Sequence, residues 1–331
     1  MTAVDPGKIK PVTVVVTAVG AIIGQGIVAS LHKAGLPVRI IGVDRDPNGI
    51  GRHFCDAFFA KPPCDEDSQD YLDFWTSLMA NEAVDLVLPG LELDVLFFNR
   101  NRSAFADSRR RIALNDAGLI ELAQDKWIFA EALRTHGLPA IPGCLAANWD
   151  DCVAELGAPP LLLKPRQGNG SRGIAVLRDA DDFTYWSRRS KDAFLIQKFI
   201  GSDDQEFTVG AFGLGNGAAL PPIIFRRKLS VAGNTQYAEV VDHPVLATAV
   251  KRLAAIFKPV GPTNYQFRIA GDVPYLLEIN PRFSSSTSLR AAFGYNEAAL
   301  AVQFYLTGEV PAAPTITHGR GWRFYEDLIA T

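Results

Sequence analysis

The strongest constraint on the fold comes from two short, mostly apolar runs near the start of the chain. Residues 12–19 and 38–43 are rich in β-branched side chains, which is typical of strands buried on both faces. The pattern between them predicts a helix over residues 22–34, ended by Gly35 and Pro37. A strand, a helix and a second strand in this order predict a crossover, so the two strands should be parallel neighbours in one sheet.

The alternation of strand and helix continues to about residue 115, and then the pattern changes. A strand is predicted over 85–88 and helices over 71–79 and 91–105, so residues 1–115 are expected to form an α/β domain with a doubly wound parallel sheet. Beyond residue 201 strands predominate, which indicates an α+β arrangement. We expect three domains, covering residues 1–115, 116–200 and 201–331.

Composition excludes several classes of function. The 331 residues are 48% hydrophobic and 21% charged, as in an ordinary globular protein. The net charge of -3, without a long basic run, argues against nucleic acid and anionic membranes as partners. No apolar run is long enough to span a membrane, the first residues lack a signal core, and the four cysteines lack metal-site spacing. We therefore expect a cytoplasmic protein.

The first glycine cluster follows the first predicted strand. Gly20, Gly24 and Gly26 are spaced G-x-x-x-G-x-G, whereas a dinucleotide-binding turn requires G-x-G-x-x-G. Asp44 would suit a ribose-binding acid, so an NAD-dependent oxidoreductase remains an alternative. The spacing favours a tight strand-to-helix turn.

A second glycine cluster lies between two predicted strands. A buried strand leads to Lys164, and the loop 168–173 contains Gly168, Gly170, Ser171 and Gly173. Phosphate-binding loops of the P-loop type lead into a helix, which this one does not. Backbone N–H groups of such a loop could still approach phosphates, with Lys164 neutralising their charge. An ordinary glycine-rich turn is the alternative.

A third segment, FLIQKFIGSDDQEF, contains polar residues at the end of an apolar strand. A strand edge next to Gln197 and Lys198 could bind a purine through backbone groups, and an amide or the carboxylate of Glu206 could bind the ribose. A strand end in contact with water is the simpler explanation.

The fourth motif is a hairpin, NYQFRIAGDVPYLLEIN. Strand periodicity places Glu278 and Asn280 on one face, and Leu277 and Ile279 on the core face. A three-residue loop over 271–273 would pair Gln266 with Glu278. Carboxylate and amide oxygens suit Mg²⁺, and the arginine that follows, Arg282, suits a phosphoryl group in transfer.

In this order and spacing, the four motifs resemble the ATP-grasp superfamily, in particular the branch of the carbamoyl-phosphate synthase large subunit and biotin carboxylase. The resemblance covers residues 12–306 and is strongest at Glu278-Ile-Asn280-Pro-Arg282-Phe. It implies an N-terminal Rossmann-like domain, a small lid domain and a C-terminal mixed-sheet domain, with ATP between the last two.

The resemblance also implies roles for single residues. Lys126 and Lys164 should hold the α- and β-phosphates, the loop 168–173 should cover the β- and γ-phosphates, and the backbone of Lys198 and Ile200 should bind adenine. The remaining implied ligands are Gln197 or Glu206 for the ribose, Gln266, Glu278 and Asn280 for one or two Mg²⁺ or Mn²⁺ ions, and Arg282 for the transferred phosphoryl group. Gln266 stands where an acid is common, which leaves the second metal ion open. Gln197 also stands where an acid is common.

The family's chemistry joins a carboxylate to an amine through an acyl phosphate, releasing ADP. We therefore expect an ATP-dependent ligase of small molecules; a phosphotransferase and a non-catalytic nucleotide-binding protein are alternatives. Arg290 and Arg227 are candidates for the acid substrate. Glu92 is a candidate for the amine, unless it only complements the dipole at a helix start. A homodimer is compatible with the resemblance.

Overall fold

The computed structural model describes residues 12–105, 112–168, 173–231 and 233–329. Its first unit is a parallel sheet of order β3-β2-β1-β4, which confirms the doubly wound prediction. The elements are β1 (Val12–Thr17), α1 (Ile22–Ala34), β2 (Val38–Asp44), β3 (Ala57–Ala60), α2 (Gln69–Asn81), β4 (Leu86–Leu88) and α3 (Glu92–Arg100). The short edge strand β3 has no counterpart in the sequence predictions.

The first glycine cluster serves close packing of the backbone. A Cβ atom on Gly24 would lie 2.1 Å from the carbonyl oxygen of Ala18, so only glycine fits at this turn. The Asp44 carboxylate accepts a hydrogen bond from the backbone N–H of Gly20 at 2.8 Å. These contacts fit the tight turn that the glycine spacing favours.

Two helices follow the parallel sheet, and a small antiparallel sheet of order β5-β8-β6-β7 comes after them. The helices are α4 (Ala117–Leu122) and α5 (Lys126–Thr135). The small sheet and its helices are β5 (Gly143–Cys144), α6 (Trp149–Leu156), β6 (Leu161–Pro165), β7 (Ala175–Leu177), α7 (Ala180–Arg189) and β8 (Phe194–Lys198). We call this unit the lid.

The last unit is an antiparallel sheet of order β13-β12-β9-β10-β11-β14. Its elements are β9 (Glu206–Leu214), β10 (Ile223–Leu229), β11 (Thr235–Val240), α8 (Pro244–Phe257), β12 (Val260–Ala270), β13 (Val273–Asn280), α9 (Thr287–Ala292), α10 (Glu297–Thr307) and β14 (Arg320–Trp322). The α+β prediction for this part is confirmed.

The apolar cores do not follow the predicted boundary at residue 116. Leu119, Phe129 and Leu133 pack with side chains of the C-terminal sheet, whereas the core of the lid begins at Cys144. The predicted domain 116–200 is therefore divided: α4 and α5 pack on the C-terminal unit, and the lid follows them. The reason is that the apolar faces of these helices are covered by β9, β12 and α8.

Direct contacts hold the N-terminal unit against the C-terminal sheet. The Asn115 side chain accepts from the backbone N–H of Val260 at 2.7 Å and donates to Thr263 Oγ1 at 2.8 Å. The Asn296 amide donates to the carbonyl oxygen of Ser30 at 2.7 Å, where α1 packs against α9 and α10. The start of α3, with Glu92, thus faces the end of β13. Within the described ranges, none of the helices has the length and apolar character needed to cross a membrane.

Candidate active site

The hairpin of β12 and β13 brings Gln266 opposite Glu278, as predicted, but by another route. Ala270 pairs with Val273, so the turn has two residues and the predicted three-residue loop is wrong. Gly271 adopts φ +59°, which is the conformation that short hairpin turns require. A bulge in β13 between Leu276 and Glu278 then adds the residue that restores the pairing.

The bulge also changes which leucine faces the core. Leu276 and Ile279 are buried in the core of the C-terminal unit, whereas Leu277 lines a cavity beside Glu278. The prediction that Leu277 faces the core is therefore wrong, because one extra residue breaks the alternation of faces at this point. The consequence is an apolar side chain placed next to the candidate metal ligand.

A cavity of about 280 Å³, here called the nucleotide cavity, lies between the lid and the C-terminal sheet. Its polar lining includes Lys126, Lys164, Lys198, Glu206, Gln266, Arg268 and Glu278. Its apolar lining includes Ile141, Leu162, Ile174, Val176, Phe199, Ile200, Leu229 and Leu277. A cavity lined by both apolar and charged side chains suits a flat base attached to phosphates.

Gln197, like Gly173, is a predicted nucleotide ligand that is not among the residues lining this cavity. Its side chain is buried on β8, where it packs against Gly143 of the neighbouring strand β5. Gln197 pairs with Leu162 of β6, which lines the cavity, whereas the neighbouring Ile196 lies in the core of the lid. Paired residues share one face of a sheet, so Gln197 lies on the cavity face and its contact with the ribose stays a prediction. Lys198 and Ile200 line the cavity, and the contact of their backbone with adenine stays a prediction.

Lys126 and Lys164, the two lysines predicted to hold phosphates, both line the cavity. Burial, with Arg268 and Lys126 nearby, lowers the pKa of Lys164 to about 8. The Lys126 ammonium donates to the carbonyl oxygen of Gly168 at 2.6 Å, at the start of the glycine loop. Cations held this close together, without full neutralisation, make a favourable site for an anion.

The glycine loop is described only at its two ends. Gly168 and Gly173 have φ values of +100° and +73°, which favour glycine at both positions. The predicted ligands Gly170 and Ser171 lie outside the described residues. Their contact with phosphates stays a prediction.

Glu206 lies in a network of two arginines. Arg227 Nη2 donates to Glu206 Oε1 at 2.9 Å and to Gln266 Oε1 at 2.7 Å. Arg268 donates to the other oxygen of Glu206 at 3.0 Å, and its guanidinium lies 5.4 Å from the centre of the Phe199 ring. Both oxygens of Glu206 are thus engaged by cations.

A second cavity of about 180 Å³, here called the substrate cavity, shares Gln266 and Glu278 with the first. Its lining also includes Glu92, Thr208, Arg227, Asn234, Asn264, Asn280, Arg282 and Ser284 to Ser286. Arg282 donates to the Glu92 carboxylate at 2.7 Å, across the junction of the N-terminal and C-terminal units. Groups from two units thus meet in the substrate cavity.

Arg290 is not placed in either cavity. Its side chain is fully buried and forms an ion pair with Glu297 at 2.8 Å, while Thr208 and Asn264 accept its other hydrogen bonds. The predicted role as a clamp for the acid substrate is therefore corrected to a structural one. The helix start that carries Glu297 closes over the guanidinium and removes it from the cavity.

Two arginines at the site have no counterpart in the sequence predictions. Arg268 lies two residues after Gln266 on β12, so the periodicity that selected Gln266 could also have selected it. Arg323 donates to the carbonyl oxygens of Ser285 and Thr235 at 2.6 and 3.2 Å, and so supports the serine wall of the substrate cavity. No signal in the sequence connects Arg323 with that wall.

Glu278 is the carboxylate at the junction of the two cavities. It makes no hydrogen bond or ion pair with the described residues, although its negative charge interacts favourably with the positive charges of Lys164 and Arg227. No group of three or more His, Cys, Asp and Glu side chains that could hold a metal lies within the described ranges. A magnesium site here would be built from Glu278, amide oxygens such as that of Asn280, and phosphate oxygens, which fits the preference of Mg²⁺ for oxygen and for substrate phosphates.

Parts of the chain match a known family and a curated protein. Residues 190–325 match the model of a family described as ATP-grasp in the biosynthetic pathway with Ter operon. The carbamoyl phosphate synthase large chain of Mycobacterium sp. (strain JLS) is 28% identical to this chain over a region covering 50% of it. That region is 16% of the relative, so this chain corresponds to a small part of the relative's length.

Solved structures share the whole fold at low identity. N5-carboxyaminoimidazole synthetase from Staphylococcus aureus, complexed with ADP, matches with a TM-score of 0.72 and 15% identity, over 92% of this chain and 80% of its own. The biotin carboxylase domain of the Hydrogenobacter thermophilus 2-oxoglutarate carboxylase, with MgADP and bicarbonate, matches with 0.71 and 13%, over 92% and 71%. An L-amino acid ligase from Bacillus licheniformis matches with 0.65 and 16%, over 93% and 75%.

Proposed function

We propose that this chain, whose residues 190–325 match an ATP-grasp family model, is an ATP-dependent ligase that joins a small carboxylic acid to an amine through an acyl phosphate. One observation carries the proposal: the uncommitted carboxylate of Glu278 lies where the nucleotide cavity meets a second, polar cavity. Asn280 and Arg282 follow on the same strand end. Phosphoryl transfer between two bound molecules requires such a junction.

The nucleotide cavity is the proposed binding site for ATP. The apolar side chains of the lid, with Leu277 from below, would enclose the base, and the backbone of Lys198 and Ile200 offers hydrogen-bonding groups at its edge. Lys126 and Lys164 line the same cavity and would neutralise the phosphates, whereas Arg268, which donates to the carbonyl oxygen of Ile200 at 3.4 Å, would lie beside the base. Mg²⁺ held by Glu278 and Asn280 would neutralise phosphate oxygens.

The substrate cavity is the proposed binding site for the acid, and the first chemical step would take place there. A carboxylate oxygen attacks the γ-phosphorus, the bond to the bridging oxygen of ADP breaks, and ADP leaves with that electron pair. Arg282 and Arg227 would neutralise the oxygens of the acid and of the transferred group, which is what catalysis of this kind mostly requires. The serine hydroxyls of residues 284–286 can orient the rest of the acid.

The second step needs an amine next to the acyl phosphate. Attack of the amine on the carbonyl carbon expels inorganic phosphate, and the amine must lose a proton. Glu92 lines the substrate cavity beside Arg282, so its carboxylate is in place to hold an ammonium group or to accept that proton. Its position at the start of α3 also complements the helix dipole.

The proposal also covers the cellular compartment, the size of the substrates and the oligomeric state. All four cysteines are free thiols, which fits a reducing compartment such as the cytoplasm. The cavities are small, so the acid and the amine should be small molecules. The homodimer stays a prediction, to be tested by the mass of the protein in solution.

The test is a screen for ADP release over pooled acids and pooled amines, with Glu278→Gln as the inactive control. Hydroxylamine replaces the amine in a second screen, because it traps an acyl phosphate as a hydroxamate. ADP with hydroxamate from one acid supports the ligase. ADP with a stable phosphorylated product and no hydroxamate would instead identify a phosphotransferase.

A further inference from the structure

The predicted metal ligand Gln266 already has a cation on its side-chain oxygen. Arg227 Nη2 donates to Gln266 Oε1 at 2.7 Å. A metal ion bound to the same oxygen at about 2.1 Å would lie roughly 4 Å from the guanidinium, since both would share one amide group. The amide is neutral and offers no charge to offset the repulsion between the two cations.

A second hydrogen bond also holds Arg227 in this position. The same Nη2 donates to Glu206 Oε1 at 2.9 Å, and the arginine side chain is only 5% exposed. Glu206 is itself fixed through its second oxygen by Arg268 at 3.0 Å. Movement of Arg227 away from Gln266 would leave a buried guanidinium and a buried carboxylate with fewer partners, which opposes such a movement.

The acidic charge available for metals is also small. Of the predicted ligands Gln266, Glu278 and Asn280, only Glu278 carries a negative charge. Glu206 is close, but both of its oxygens are engaged by arginines. One carboxylate with an amide oxygen and phosphate oxygens suffices for one Mg²⁺ ion, whereas a second dication would depend on a neutral amide already bonded to Arg227.

We propose that this site binds one divalent cation with the nucleotide, at Glu278 and Asn280, and that the Arg227 guanidinium supplies the positive charge that a second ion at Gln266 would otherwise bring. The inference rests on the proposed nucleotide site. It assigns Arg227 a fixed place between Gln266 and Glu206, at the wall that the two cavities share. It also explains how glutamine can stand where an acidic ligand is common.

The experiment counts Mn²⁺ ions in the full-length protein. Mn²⁺ is titrated into protein saturated with the β,γ-methylene analogue of ATP, free Mn²⁺ is followed by electron paramagnetic resonance, and a titration without protein gives the ion held by unbound analogue. The variants are Arg227→Gln with Gln266→Glu, which removes the cation and adds an acid, and Arg227→Lys, which keeps the charge. Arg226→Gln is the matched control, because Arg226 is the exposed neighbour and pairs with Glu239.

The expected counts are one Mn²⁺ ion per bound nucleotide in the wild type, in Arg227→Lys and in Arg226→Gln, and two in the double variant. Two ions in the wild type would overturn the inference and leave the proposed function intact. One ion in the double variant would show that Arg227 does not exclude the second ion. No nucleotide-dependent Mn²⁺ binding would refute the proposed function, and the inference with it. If the double variant does not fold, the wild-type and Arg227→Lys counts still decide.

Discussion

Replacing Lys164 by methionine should stabilise the protein without nucleotide and abolish its response to nucleotide. Lys164 lies partly buried beside Arg268 and Lys126, and its pKa falls from 10.5 to about 8. A shift of this size corresponds to about 3 kcal/mol of unfavourable interaction for the charged amine. Because water still reaches the side chain, we discount this to about 1–2 kcal/mol. Methionine is similar in length and fills the same space.

The pH dependence of the effect has a defined sign. The unfolded chain keeps the higher pKa, so between pH 8 and 10.5 the unfolded state binds more protons and the stability of the wild type rises with pH. Below pH 8 the penalty is complete. The advantage of Lys164→Met should therefore be largest at pH 7 and fall by about half at pH 9.5.

Thermal unfolding measures both parts of this prediction. At pH 7 the melting temperature of Lys164→Met should exceed that of the wild type by about 1–3 °C. With the β,γ-methylene analogue of ATP, the wild type should gain stability, and the variant should bind the analogue at least about tenfold more weakly. Lys228→Met, at an exposed lysine of β10, is the control and should change neither quantity. A lower melting temperature at pH 7, or an unchanged response to the analogue, would refute the reasoning.

Three further substitutions test other parts of the site. Glu278→Gln should reduce the rate of ADP formation at least about 100-fold. Its affinity for the metal-free ATP analogue, measured by calorimetry, should stay within a few-fold of the wild type. An equal loss of rate and affinity would contradict the role of Glu278 as a metal ligand. Arg290→Met should destabilise the protein by about 3 kcal/mol, seen in urea unfolding, because it leaves the Glu297 carboxylate buried without its partner. The double variant with Glu297→Met should recover part of that loss, so additive losses would argue against the pair. Arg323→Met should raise the KM for the acid about tenfold with kcat within about threefold, because Arg323 only supports the wall at Ser285; a matching fall in kcat would refute this.

The motif carrying the chemistry could be predicted because strand periodicity and residue type are local properties. Glu278, Asn280 and Arg282 were selected by their parity and their oxygen and guanidinium groups, and all of them line the substrate cavity. The pairing of Gln266 with Glu278 also followed from parity. The two-residue turn with a bulge gives the same pairing as a three-residue loop, so the sequence could not distinguish them.

The failures concern contacts between distant segments. Arg290 follows the motif at a helical position that suits a substrate contact. The sequence around it does not indicate that the start of α10 packs against the guanidinium and buries it. Likewise, α4 and α5 precede the lid in sequence but pack on the C-terminal sheet, because only the folded sheet offers them an apolar surface.

The central claim is that a carboxylate takes the γ-phosphoryl group at the junction of the two cavities. Once the screen has identified the acid, its carboxyl group can be labelled with ¹⁸O and the released phosphate examined by mass spectrometry. An acyl phosphate requires one labelled oxygen in each phosphate, because the amine displaces phosphate together with the oxygen that attacked the γ-phosphorus. We predict this transfer in the wild type. Unlabelled phosphate, with ADP formed at the same rate, would contradict the account.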